Sequence, residues 1–131
     1  MGESEIEYLL DSVILIDRFN GVPEARTYIS ETEGAAAISV ITRAEVLVGF
    51  GASSREAATR SLDLFPLLDL TKPVADLAAT LRRDHGWKLP DAFQAALAQY
   101  HGLKLVTRNI RDFSPERHDF VLVPYLLDEK R

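Results

Sequence analysis

The sequence predicts an α/β fold with a central, mostly parallel sheet of about five strands in a three-layer α/β/α arrangement. Short apolar runs alternate with longer segments of helical period along the whole chain, the pattern of repeated βα units. The strand candidates are apolar throughout rather than alternating, as strands covered on both faces must be. Finally, the run Tyr8-Leu9-Leu10 stops at Asp11-Ser12 before continuing into Val13-Ile14-Leu15-Ile16. A buried strand ending in one carboxylate marks the edge of an open sheet where ligands collect.

The elements follow in order. Residues 7–10 read as the first strand and 12–20 as a helix, with Gly21 where a glycine ends a helix. Pro23 opens a second helix over 24–33, closed by Gly34. Residues 36–40 form the second strand. Thr42-Arg43-Ala44-Glu45 begins a helix with Val46, Leu47 and Phe50 on its apolar side, ended by Gly49 and Gly51. Ser53 and Ser54 predict the N-cap of a fourth helix over 55–65. Residues 67–70 are a short third strand, suited to an edge. Thr71 and Pro73 open a fifth helix that runs to His85 and stops at Gly86. Pro90-Asp91 opens a sixth, which the Ala-rich run Ala92 to Ala98 marks as buried. Gly102 ends it, and residues 103–106 and 120–123 complete the strands. The first few residues and 128–131 are expected to fray.

At 131 residues the chain reads as one domain, 1–131, large enough for a core without staples. Its 47% hydrophobic and 27% charged content are ordinary for a globular domain. No apolar run reaches the roughly 20 residues of a membrane span. Glu3, Glu5 and Glu7 stand where a signal peptide would be basic, so none is expected. The absence of cysteine excludes disulfides and thiolate metal sites and agrees with a cytoplasmic location. Three histidines (His85, His101 and His118) make a zinc site a poor expectation. The net charge of −5 is unevenly spread: residues 1–81 sum to −7, residues 82–111 to +4 and the remainder to −2. A basic segment on an acidic protein allows a local phosphate-binding surface, although ordinary charge scatter gives the same numbers.

Polar residues recur where strands end or helices begin: Asp11, Glu45, Asp91, and the turn Thr107 to Asp112. In a parallel sheet these strand ends share one edge, so residues distant in sequence converge. Each has a structural explanation too. Thr42-x-x-Glu45 fits a capping box, Asp91 in a first helical turn suits the helix dipole, and Asp112 suits a turn. Asp11 has the weakest such explanation, because a carboxylate closing a buried strand is costly unless paired or metal-bound. Several carboxylates in one cleft repel and need a cation. Oxygen-only ligands select a hard ion, Mg²⁺ or Mn²⁺, which binds substrate phosphates. The chemistry this suggests is metal-assisted phosphoryl transfer to water.

Tyr8-Leu9-Leu10-Asp11-Ser12, Ile38-Ser39-Val40-Ile41-Thr42-Arg43-Ala44-Glu45-Val46-Leu47-Val48-Gly49, Leu89-Pro90-Asp91-Ala92-Phe93-Gln94-Ala95-Ala96 and Leu105-Val106-Thr107-Arg108-Asn109-Ile110-Arg111-Asp112-Phe113 together resemble the four blocks of the PIN-domain ribonucleases, most closely VapC-type toxins of toxin–antitoxin pairs. The resemblance covers nearly the whole chain. It implies a PIN fold and Mg²⁺- or Mn²⁺-dependent endonuclease cleavage of single-stranded RNA. Asp11, Glu45, Asp91 and either Asp112 or Asn109 would hold the metal. Thr107 and Ser12 would hydrogen-bond a ligand carboxylate or the substrate, and Arg108 and Arg111 would either contact the RNA backbone or simply be solvated. The resemblance further implies a homodimer and a small antitoxin lying across the cleft. One departure stands out: many members carry an acid where this chain has Asn109.

Other readings fit less well. A receiver domain needs paired acids after the first strand and a Lys after the last, whereas Asp11 is followed by Ser12 and the last strand by Pro124-Tyr125. A haloacid-dehalogenase-type phosphatase needs Asp-x-Asp, which Asp11-Ser12-Val13 lacks. The closest rival is a PIN domain, weakened at Asn109, that binds RNA or a partner without efficient cleavage.

Overall fold

The computed structural model describes residues 5–127. The expected fraying of the first few residues and of 128–131 falls largely outside that range. In chain order the elements are β1 (Tyr8–Leu10), α1 (Ser12–Phe19), α2 (Pro23–Glu31), β2 (Ala36–Ser39), α3 (Val40–Val48), α4 (Ala52–Leu62), β3 (Leu67–Leu68), α5 (Lys72–His85), α6 (Leu89–His101), β4 (Lys104–Val106) and β5 (Val121–Leu122). The five strands form one sheet in the order β3-β2-β1-β4-β5. All four pairings are parallel, with Leu9 opposite both Ala37 and Leu105.

Side chains alternate across the strands, which divides the core into two layers. Leu9 and Leu105 point into one, with Val74, Ala78, Leu97 and Phe113. Leu10 and Val106 point into the other, with Ile14, Ile38, Val46 and Leu62. The first layer lies under α5 and α6, and the second under α1, α3 and α4. The three-layer expectation therefore holds, and the near-continuous apolar strands reflect burial on both faces.

The topology fixes where a site can form. From β1 the chain moves outward through β2 to β3. The helices α5 and α6 then carry it back across the sheet to β4, on the other side of β1. The strand order thus reverses between β1 and β4, the place outside whose carboxyl ends open α/β sheets bind ligands. α6 ends at Gly102, whose φ of +69° is the left-handed cap that releases the chain into β4.

Several boundaries differ from the sequence expectation. α3 begins at Val40 rather than Thr42 because Ser39 is its N-cap, with the Ser39 hydroxyl accepting from Thr42 N at 3.0 Å. Thr42 is therefore not a cap, and Glu45 lies in the second turn, too far along to close a capping box. α4 begins at Ala52 after Gly51, so Ser53 and Ser54 lie inside it. The edge strands β3 and β5 are two residues each, shorter than their apolar runs, because an edge strand has a partner on one side only.

Candidate active site

Asp11 is placed by the sheet. Its backbone N–H donates to Val106 O at 2.9 Å, which continues the β1–β4 pairing one residue past the strand. It then caps α1, and Oδ1 accepts from Ser12 N at 2.9 Å. Asp11 is only 6% exposed, and a carboxylate so buried needs further partners. Thr107, the first residue after β4, donates its hydroxyl to Oδ2 at 2.7 Å. Gln94 Nε2 donates to Oδ1 at 3.1 Å. Asp11 thus joins β1, β4 and α6.

The turn after β4 is stapled in sequence. Thr107 Oγ1 accepts from Asn109 N at 3.0 Å. Asn109 Nδ2 donates to Asp112 Oδ2 at 3.1 Å, and Asp112 N donates back to Asn109 Oδ1 at 3.4 Å. The Trp87 indole N–H donates to Asp112 O at 3.0 Å, tying this turn to the segment that leads into α6.

Asp91 is the third residue of α6 and partly buried. The helix dipole at this position favours a charged Asp. Its carboxyl is nevertheless pushed up to about 6, first by burial and then by the negative charges of Asp11, Asp112 and Glu45, with Lys88 opposing. The four acids expected from the sequence are therefore within electrostatic reach of one another, although they come from β1, α3, α6 and the turn after β4. Asp11 is buried and Asp91 half-buried, whereas Glu45 is exposed on α3.

The donor set fits a hard divalent cation: carboxylate, amide and hydroxyl oxygens, and a partly buried acid whose charge is unrelieved. Among the described residues no three His, Cys, Asp or Glu side chains stand close enough together to hold a metal ion as they lie. Mg²⁺ binds through one or two carboxylates while keeping waters, so it does not require three.

The remaining expected residues lie as follows. Ser12 contributes its backbone N–H to Asp11. Arg111 is exposed. Arg108, expected on the RNA backbone, is instead engaged within the fold: Nε and Nη2 donate to the two Asp17 oxygens at 2.7 and 2.8 Å. Tyr125 O–H donates to the same carboxylate at 3.0 Å.

Sequence reasoning missed Gln94 as a partner of Asp11 and Asp17 as a buried anion. Each left a signal. Gln94 is the one polar side chain in the run Ala92 to Ala98, and Asp17 closes the apolar run Val13 to Ile16.

An all-parallel sheet with acids gathered outside the reversal of strand order defines an α/β domain with an acidic cleft. The PIN domain family model matches residues 8–114, and the chain belongs to that family. It is 33% identical over 112 residues to Ribonuclease VapC10 of Mycobacterium tuberculosis, covering 80% of this chain and 84% of that protein. Among solved structures it is similar to a chain of a toxin–antitoxin complex from Klebsiella pneumoniae, with 38% identity and a TM-score of 0.84 over 92% of this chain and 100% of that one. FitAcB from Neisseria gonorrhoeae shares the fold, with 23% identity and a TM-score of 0.73 over 92% of this chain and 99% of that one.

Proposed function

We propose that the chain is a single-domain, Mg²⁺- or Mn²⁺-dependent endoribonuclease, the cytoplasmic toxin of a toxin–antitoxin pair. The observation that carries this is the buried Asp11 carboxylate, held by Thr107 and Gln94 at the strand-order reversal with Asp91 and Asp112 in electrostatic reach. The ribonuclease name of the VapC10 relative and the toxin–antitoxin assembly of the similar Klebsiella chain support the biological role. No helix among the described residues is long and apolar enough to cross a membrane, which agrees with the location.

In this reading Asp11, Glu45, Asp91 and Asp112 would hold the ion, which would supply water activation and charge neutralisation at the phosphodiester. Thr107 and Gln94 fix the Asp11 carboxylate so that it need not reorganise. Asp91, held at about 6, is ionised and able to act as a ligand at neutral pH. Asn109 holds Asp112, which serves as the fourth acid. Lys88 and Arg111, both exposed, supply positive charge for the RNA backbone, a role Arg108 gives up to Asp17. An antitoxin segment would cover this cleft, and the free toxin would be a homodimer.

The test is cleavage of end-labelled single-stranded RNA by the purified protein with Mg²⁺, with Mn²⁺ and with EDTA. Cleavage that needs either metal and stops in EDTA is expected. Cleavage indifferent to EDTA would overturn the metal-dependent reading. Inertness toward single strands, intact tRNA and ribosomes would favour a PIN domain that binds without cleaving.

A further inference from the structure

Behind the acids lies a fully buried polar layer. Gln94 is 1% exposed, and Ser39 and Thr42 are both 0% exposed. Ser39 Oγ donates to Gln94 Oε1 at 2.6 Å. The Asp11 carboxylate, which can only accept, settles which way the amide lies. With Oε1 engaged, Nε2 faces the other side and donates to Asp11 Oδ1 at 3.1 Å and Thr42 Oγ1 at 2.9 Å. Thr42 Oγ1 also stands 3.5 Å from Leu10 O, the carbonyl just before Asp11.

Burying these groups is costly unless each finds a partner. An apolar side chain at position 94 would pack α6 onto the sheet without that demand. The charged member the amide serves is Asp11. Without Gln94, Oδ1 would keep only the Ser12 N–H, and the carboxylate could pivot about its Thr107 contact. The spacing adds a second consequence. Gln94 lies one turn after Asp91 on α6, and Thr42 one turn before Glu45 on α3. One amide therefore links the Asp11 carboxylate to the two helices that carry Glu45 and Asp91.

We propose that Gln94 is a positioning residue: its amide, oriented by Ser39, fixes the Asp11 carboxylate and sets α3 and α6 at the spacing a divalent cation requires. This role rests on the proposed use of the acids as metal ligands.

The experiment compares the native protein with Gln94→Met, Ser39→Ala and the double variant. Mn²⁺ affinity is read by calorimetry, and the Asp11 side chain by crystal structures of the metal-free proteins. Gln94→Met is expected to weaken Mn²⁺ binding by about tenfold, as loss of a group orienting a ligand does, and to release Asp11 into more than one rotamer. Ser39→Ala gives a smaller loss, and the double variant is no worse than Gln94→Met because the two act in one chain of contacts. Should Gln94→Met fail to fold with the Ser39 hydroxyl deprived of its acceptor, the double variant takes its place, read against Ser39→Ala because both lose the α3 cap that Ser39 provides to Thr42 N. Native Mn²⁺ affinity together with a single Asp11 rotamer, in whichever variant folds, would overturn the proposal. If the native protein itself binds no Mn²⁺, the proposed function fails, and the rotamer alone decides the role of Gln94.

Discussion

Asp91 is where competing effects on one residue can be weighed. Helix-start geometry favours its charge, yet burial and three neighbouring acids hold the carboxyl at about 6 against an ordinary 3.8. Between these values the folded protein binds more protons than the unfolded chain, so this group makes stability fall as pH rises from about 4 through 6. Asp91→Asn removes that penalty. In thermal melts without metal the variant is expected to gain about 1 kcal/mol at pH 7.5, a few degrees in Tm, after allowance for partial exposure. The gain should vanish at pH 4, and a variant that melts lower at pH 7.5 would assign Asp91 a structural role. Asn109 makes the complementary case. Asn109→Asp replaces the amide that donates to Asp112 Oδ2 with a second anion. Tm without metal should fall and Mn²⁺ affinity rise several-fold, and no change in either would place the side chain outside the site's field. If the native protein is inert and this change restores cleavage, the non-cleaving reading gains. Asp11 and Asp91 could be found from sequence because each sits where an apolar run begins or ends. Gln94 could not be assigned, because its acceptor lies 83 residues away and only the fold brings the two together.

At the level of elements, apolar runs and glycine stops located all five strands and six helices, while boundaries slipped where a cap was misjudged. Thr42 looked like a helix start because it precedes Glu45 by three residues, but Ser39 closes β2 and caps α3 at once. That one shift moves Glu45 from a capping position to an exposed second-turn position within electrostatic reach of Asp91. The link between α1, the turn after β4 and the C-terminal segment was beyond sequence reading for the same reason as Gln94: Arg108 and Tyr125 reach Asp17 across 91 and 108 residues. Asp17 is 5% exposed, so removing its cation leaves a buried charge uncompensated. Arg108→Met is expected to cost about 2–3 kcal/mol in urea denaturation, somewhat below a fully buried pair, and Tyr125→Phe about 1 kcal/mol. Equal costs for the two would show that the ion pair contributes no more than a neutral hydrogen bond.

For the whole molecule, the fold's main act is to assemble like charges. The strand order reverses beside Asp11, two core layers cover the sheet, and Asp11, Glu45 and Asp112 lie within electrostatic reach of Asp91. Such a cluster opposes folding until a cation joins it, so the metal should bind the native state and stabilise it. The most direct measurement is a calorimetric titration of Mn²⁺ into the native protein, Asp11→Asn and Asp91→Asn, each first shown to be folded by circular dichroism. Saturable binding by the native protein, weakened at least about tenfold in both variants, is the expected result. No binding at millimolar Mn²⁺, or equal binding by all three folded proteins, would contradict the assignment of these acids as a metal centre.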